Sequence, residues 1–418
     1  MLIEFSVSNF RSIYEKQTLS MVAAKLTGKE NTQTNIFTPE KYKNLPLLKT
    51  AAIYGANASG KSNLLKAMFF FEDFLLDSTN LKLNDKIAIS PFRLFQKAEE
   101  EPTTFEIEIV AFDKIRYIYG FSIIESEVVE EHLISFTSSK PTEIFVRKKG
   151  ESIKFSGVLK GHKKILEEQL QKNHLLLTKA ANSNFEQLIP VYQFFYKKTR
   201  YNETEGSLPT LLKFIQDGKF HKKLVNLLKS IDTTIENFQV RFLEYKFGKK
   251  LEEAEQTKMF VIRKSSDLNN NELVEWELHE ESDGTKKFFN FAYLIQTALE
   301  EGNVFIWDEL NNSWHPHITE FVINLFNNAD TNPQNAQLIF TTHDATLLNK
   351  DLLRRDQMWF VEKNKQGMSK LFSLADFDKK EVRWDIPFDK WYLSGRFGAI
   401  PNIQEFKLNV DEEPIPAE

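Results

Sequence analysis

Eight consecutive residues constrain this chain more than any others: Gly55-Ala-Asn-Ala-Ser-Gly60-Lys61-Ser62. They fit the pattern G-x-x-x-x-G-K-[ST], and each position has a physical reason. Gly55 and Gly60 let the backbone wrap closely around phosphate oxygens. Asn57, Ala58, Ser59 and Asn63 supply successive backbone N–H groups where a helix begins and its dipole favours an anion. Lys61 can reach the β- and γ-phosphates, and the Ser62 hydroxyl can ligate Mg²⁺. The context also fits. LKTAAIYG is a short apolar strand ahead of the loop, and SNLLKAMFFFEDFLLD behind it has helical apolar spacing. The spacing therefore predicts strand, phosphate loop and helix in series, with ATP and Mg²⁺ as the cofactors.

A phosphate cradle needs a metal holder and a means of activating water. Residues 304–309 read VFIWDE, four apolar residues and then two carboxylates. A buried strand ending this way is a Walker B arrangement. Asp308 is the expected Mg²⁺ ligand with Ser62, and Glu309 the expected general base. QLIFTTHD is a second apolar strand ending at His343, which is placed to contact the γ-phosphate. His315 and His317 could suggest a metal pair, but without matching ligands they read as a helix-start turn.

Composition narrows the class. With 41% hydrophobic and 27% charged residues the 418-residue chain is a folded one, and its 37 phenylalanines can build an aromatic core. Length alone suggests two or three units in series. There is no cysteine, which excludes disulfides, zinc–thiolate sites, iron–sulfur clusters and a cysteine nucleophile. MLIEFSVSNFRSI is not a signal peptide and no run is long enough for a membrane span, so a cytoplasmic protein without a membrane partner is expected. The net charge of −5 hides an asymmetry, since residues 151–250 hold 18 Lys and Arg against 10 Asp and Glu.

Texture divides the chain. Residues 103–158 carry several strand-like runs, among them TTFEIEIVAF and IRYIYGFSII. Residues about 160–242 are Leu-, Lys- and Glu-rich with helical spacing, and strand texture returns in QVRFLEYKF, KMFVIRK and VEWELHE. The expected layout is a first lobe at 1–158, a helical basic insertion at 159–242, a second lobe at 243–404 and an acidic tail at 405–418. Within the insertion, Phe194 to Tyr201 interleave aromatic and basic residues. They read either as an amphipathic helix with its aromatic side in the core or as a surface that stacks bases and neutralises phosphates.

The order of these features resembles an ABC-type ATPase. Ser282-Asp283-Gly284, within ESDGTKK, stands ahead of a helix where such proteins carry their signature, in place of the usual Leu-Ser-Gly-Gly. More narrowly, FSVSNFRSI, YGANASGKSNLLKAM, SPFRLF, ESDGTKK, IWDEL with His315-Pro316, TTHD, DQMWFVEK and YLSGRFGAIP resemble the AAA-fifteen group, RloA-like relatives of the OLD, RecF and SMC heads. The resemblance covers most of the chain. It implies an α/β fold: a P-loop ABC-type ATPase head with a mixed sheet core, an antiparallel β-subdomain and a helical insertion.

It also implies a homodimer or higher homo-oligomer closed around ATP, in which Ser282 and Gly284 complete the partner's site. Asn311–His315 would occupy the D-loop, although its usual aspartate is missing, and Gln96 is a candidate Q-loop residue. The group is associated with prokaryotic anti-phage defence beside a separate effector, such as a RloB-like Toprim nuclease. The stretch after His343 is expected to be too short for a fused nuclease. The alternative is a RecF- or SMC-like DNA-binding maintenance ATPase, with DNA or RNA held through residues 160–242. A transporter subunit and a nucleotide-gated scaffold with little turnover are the remaining readings. YLSGRFGAIP has no assigned chemistry.

Overall fold

A computed structural model describes residues 1–26, 34–137, 140–201, 218–245, 254–265, 272–312, 314–378, 382–383 and 386–401. The expected acidic tail at 405–418 and residues 202–217 of the expected insertion lie outside the described residues.

Two larger sheets carry the fold. The first is antiparallel and built from β1 (Leu2–Ser8), β2 (Gln17–Ser20), β6 (Thr103–Val110), β7 (Arg116–Ile124), β8 (Glu127–Ser135), β9 (Thr142–Lys148) and β10 (Lys154–Phe155), in the order β10-β9-β8-β7-β6-β1-β2. β6 shows why. Its TTFEIEIV alternates, burying Phe105, Ile107 and Ile109 and leaving the residues between them half-exposed, as a sheet covered on one face requires. A hairpin pairs β3 (Ile36–Phe37) with β4 (Leu47–Leu48).

The second sheet contains β5 (Thr50–Tyr54), β11 (Thr199–Tyr201), β15 (Val304–Trp307), β16 (Gln337–Thr341), β17 (Met358–Lys363) and β18 (Ser369–Ser373), in the order β11-β15-β16-β5-β17-β18. All neighbours are parallel except β17 and β18. β5, β15 and β16 are buried at every residue, which is why they read as unbroken apolar runs rather than alternating ones. A third, three-stranded antiparallel sheet joins β12 (Ile235–Tyr245), β13 (Ala254–Lys264) and β14 (Leu273–Glu277).

The pleat of β5 shows how the layers stack. Ala51 and Ile53 face a core shared with Phe5, Phe105 and Phe121 of the antiparallel sheet and with the helix Lys61–Asp77. Ala52 and Tyr54 face the opposite core, against the helices Asp283–Glu301 and Pro316–Asn327. The helix after the phosphate loop thus lies between the two sheets. It buries Leu64, Leu65, Ala67, Met68, Phe71, Phe74 and Leu75, a stripe at helical spacing. Phe71 sits at the centre, with ring centroids 5.1 Å from Phe121, 5.4 Å from Phe195 and 5.9 Å from Phe5.

The expected insertion at 159–242 is not set apart from the body. Its helices Leu176–Asn182 and Ile189–Lys198 contribute to the inter-sheet core, and β11 pairs in parallel with β15 at the edge of the central sheet. Periodicity showed the helices but could not show what they pack against. Phe194 and Phe195 are fully buried, Tyr196 is exposed, and Lys198 hydrogen-bonds the Glu301 carbonyl. The aromatic side of that run faces the core. Among the described residues no helix is long and apolar enough to cross a membrane.

Candidate functional site

The parallel strands bring the separate motifs to one edge. β5 ends at Tyr54 and runs into the phosphate loop, β15 ends at Trp307 and runs into Asp308-Glu309, and β16 ends at Thr341 two residues before His343. Parallel pairing in register fixes this convergence: Trp307 stands opposite Phe340, and Thr341 opposite Ile53. Open α/β sheets bind ligands at such carboxyl ends.

The loop has the backbone its sequence requires. Gly60, with φ at 109°, ends it in the left-handed region and precedes the helix Lys61–Asp77, which starts with no side-chain cap and no acid in its first turn. That leaves the end positive and open to an anion. Ala58 also takes a positive φ of 61°. The Ser59 hydroxyl is buried without a hydrogen-bond partner.

Lys61 is nearly fully buried, and its Nζ donates to the carbonyls of Gly55 at 2.7 Å and Ala56 at 3.0 Å. Burial pushes its pKa down to about 8, opposed by the nearby Glu309 and Asp308. The same Nζ lies 3.4 Å from Nδ1 of His343, whose Nε2 lies 3.4 Å from Oε1 of Glu309. A neutral imidazole with its proton on Nε2 satisfies both contacts. His343 therefore bridges the lysine and the expected base.

The Asp308 carboxylate accepts from the hydroxyls of Ser62 at 3.1 Å and Thr341 at 2.5 Å. A carboxylate and a hydroxyl side by side are the oxygen donors a hard divalent cation prefers. Glu309 has a φ of 55°, and its N–H donates to Thr341 Oγ1 at 2.7 Å. A left-handed glutamate is strained, and here Thr341 ties both carboxylate residues to β16.

Ser282 and Gly284 are not joined to this cluster by any hydrogen bond or ion pair among the described residues. Ser282 caps the helix Asp283–Glu301, its Oγ accepting from the Thr285 N–H at 3.2 Å. It is exposed. The start of that helix is not remote, however: burial lowers the pKa of Lys287, just past its first turn, and the nearby Glu309 opposes that shift. His315 caps the helix Pro316–Asn327, accepting from the His317 N–H at 3.3 Å. No group of three or more His, Asp or Glu suited to a metal occurs among the described residues. Gln96 is exposed and makes no hydrogen bond to the phosphate loop.

Several contacts at the site were not expected from the sequence. Asn311 Oδ1 accepts from Thr342 Oγ1 at 2.9 Å and from the His343 N–H at 3.4 Å, tying the expected D-loop stretch to the histidine. Residue 313 of that stretch lies outside the described residues. Ser12 and Ser369 touch the phosphate loop from distant parts of the chain, Asn63 Nδ2 donating to Ser12 Oγ at 2.7 Å and Ser369 Oγ to the Ser59 carbonyl at 2.5 Å. Their only sequence signal was membership of larger marks, FSVSNFRSI for Ser12 and none for Ser369.

Some bases of the middle segment, and two just beyond it, are paired within the protein. Lys223 pairs with Glu300, Lys229 and Lys264 with Glu236, Arg241 with Glu275, and Arg263 with Asp232 and Glu281.

The family model described as "AAA domain, putative AbiEii toxin, Type IV TA system" matches residues 51–349. That span runs from β5 past His343. In structure the chain is similar to the SMC head domain from Thermotoga maritima, with 12% identity, a TM-score of 0.41, and 89% of this chain and 98% of that one covered. It is also similar to the recombination mediator protein RecF-ATP in the RecFOR pathway, with 14% identity, a TM-score of 0.37, and 89% and 97% covered. No curated protein sequence matches the chain.

Proposed function

The chain belongs to the AAA-domain family described with AbiEii-type toxins of type IV TA systems, and from that premise we propose that it binds and hydrolyses ATP as a dimeric switch. The observation that carries this reading is the convergence of Lys61, Ser62, Asp308, Glu309 and His343 at the edge where three parallel strands end.

The residues divide the work. The phosphate loop amides and the open start of the helix Lys61–Asp77 receive the phosphates, and Lys61 turns from its own loop carbonyls to the β/γ oxygens. Ser62 and Asp308 would hold Mg²⁺, which would supply charge neutralisation to the phosphates. Glu309 accepts the proton of the attacking water, and His343 holds that carboxylate while facing the γ-phosphate. Ser282 and Gly284 lie on an exposed helix start, where they can serve a second protomer. ATP then closes two protomers and hydrolysis releases them, a population shift driven by differential contacts.

Glu309→Gln retains the shape of the base without its proton affinity. It is expected to bind ATP and to accumulate as a dimer in size-exclusion chromatography with ATP and Mg²⁺. A variant that hydrolyses normally, or that stays monomeric with bound ATP, would sink the switch.

The biological role we propose is regulation of a separate effector in anti-phage defence. Purification of the native complex, followed by nuclease assay with and without ATP, tests it; a partnerless ATPase is the outcome against it.

A further inference from the structure

The proposed ATP site takes its reacting groups from Gly55–Ser62, Asp308, Glu309 and His343, yet hydroxyls from outside the motif stand at both ends of the loop. At the Gly60 end the hydroxyls of Ser12 and Ser369 hydrogen-bond each other at 2.8 Å. Ser369 Oγ reaches the Ser59 carbonyl at 2.5 Å, Asn63 Nδ2 reaches Ser12 Oγ at 2.7 Å, and the Ser369 N–H donates to the Ser12 carbonyl at 2.7 Å. A β-carbon on Gly60 would lie 2.1 Å from Ser369 Oγ and 2.7 Å from Ser12 Oγ. Gly60 is therefore required by this grip as well as by the approach of phosphate.

Ser12 is presented by a costly turn. Asn9 and Arg11 both have left-handed backbones, with φ at 51° and 52°. The turn persists because its surroundings over-determine it: Asn9 Nδ2 donates to the carbonyls of Ala98 at 2.7 Å and Glu101 at 2.8 Å, and the Arg11 N–H donates to the Ser90 carbonyl at 2.8 Å.

At the other end the Tyr392 hydroxyl lies near the Gly55 backbone and donates to the Ala399 carbonyl at 3.3 Å. The Tyr392 ring packs 6.0 Å from Tyr54 and 5.6 Å from Phe360. Gly395 and Gly398, with φ at 79° and 71°, turn the chain so that Ala399 meets Tyr392. YLSGRFGAIP thus ends beside the start of the phosphate loop.

Resting on the reading of this site as an ATP site, we propose that Ser12, Ser369 and Tyr392 are positioning residues that hold the phosphate loop in its nucleotide-accepting shape. None touches a reacting atom. They act through the backbones of Ser59, Gly60 and Gly55, whose amides are then pre-ordered before ATP arrives.

The test uses the full chain with Ser12→Ala, Ser369→Ala or Tyr392→Phe, each removing one hydroxyl and no ring. Amide hydrogen exchange over residues 55–63 without nucleotide is expected to rise in each. ATP affinity and KM are expected to weaken about 3- to 10-fold, the effect of one neutral hydrogen bond, with kcat at saturation within about 2-fold. Leu393→Ala, exposed on the same helix as Tyr392, is expected to change none of these. Unchanged exchange and affinity in all three hydroxyl variants overturn the proposal, as does a fall in kcat with KM unmoved. Should Tyr392→Phe fail to fold, the two serine variants still decide. Should the wild-type chain bind no ATP, the reading of the site fails, while exchange at 55–63 still decides the grip.

Discussion

The helices Lys61–Asp77 and Asp283–Glu301 both begin at the residues proposed to meet ATP, and they begin in opposite ways. The first follows a left-handed glycine, has no side-chain cap and carries no acid in its first turn. The second is capped by Ser282 and carries Asp283, which pairs with Lys286 at 2.8 Å. Its terminal donors and its dipole are already served. The first end is unfinished without an anion, and the second is complete alone. On the proposed reading the difference gives them separate tasks: the first would bind nucleotide within one protomer, and the second would be an accessory surface for a nucleotide held elsewhere.

The sharpest way to break this contrast is Lys61→Ala. Lys61 is the cation at the open end, buried against its own loop carbonyls until phosphate replaces them. Its loss should reduce ATP hydrolysis at least about 100-fold and abolish measurable binding, with the far-ultraviolet spectrum unchanged. Binding that survives in calorimetry would mean that the loop is a turn of another kind.

Ser282→Ala should do less, and differently. Losing the cap costs about 1 kcal/mol of stability whether or not ATP is present. ATP binding to the isolated protomer should persist, whereas turnover, which needs the second protomer, should fall about 10-fold. Mixing this variant with Lys61→Ala sharpens the comparison further. Each mixed dimer holds one site with Lys61 and Ser282 both intact and one site with both replaced. Partial recovery of turnover in the mixture, with both variants weakened alone, fits shared sites, while wild-type turnover in Ser282→Ala alone defeats them.

What was legible in the sequence follows the same division. The phosphate loop and Asp308-Glu309 were readable because their residue types are forced by chemistry and stand in one short run after an apolar strand. His343 needed only the next strand. Ser12, Ser369, Tyr392 and Thr341 were not assigned roles, since each is one polar residue whose role arises from tertiary contact; Ser12 and Ser369 are 357 positions apart and bond at 2.8 Å. β11 was hidden for another reason. Three residues at the end of an amphipathic helix carry no period of their own, and only the open edge of β15 makes Thr199–Tyr201 a strand.

The open helix end also predicts a pH dependence. Burial holds the Lys61 ammonium at a pKa of about 8. A lowered lysine pKa means that the charged form, the one that binds phosphate, is present below about pH 8 and is lost as pH rises through it. Bound phosphates restore the charge, so binding takes up a proton near and above that pH. ATP affinity should be flat from about pH 6.5 to 7.5 and weaken about 10-fold for each unit above 8. Calorimetry in buffers of different ionisation heat measures the uptake directly. Constant affinity to pH 9.5 would show that Lys61 keeps its proton in the empty loop.

The smallest effect on turnover is expected from Glu72, which extends the contrast to the middle of the two helices. Asp283–Glu301 buries an apolar face there, with Phe288, Phe291 and Ile295. Lys61–Asp77 instead buries a carboxylate. Burial raises the pKa of Glu72 to about 7, with the hydroxyls of Thr199 and Tyr201 and the charge of Arg200 pulling the other way, and its Oε2 has no hydrogen-bond partner. The folded chain therefore keeps a proton that the unfolded chain releases above about pH 4.5. Between that pH and about 7 stability must fall as pH rises, by about 3 kcal/mol in all, and stay low above it. Glu72→Gln keeps the shape and removes the ionisation. It should flatten that part of the stability–pH curve and be the more stable form at pH 8, with ATP turnover within about 2-fold of wild type. Parallel urea titrations at pH 5 and pH 8 decide it: an equal loss of stability in both proteins would mean that Glu72 is already ionised in its pocket. A turnover change beyond that range would mean instead that β11 and Glu72 communicate with the phosphate loop through the helix they share.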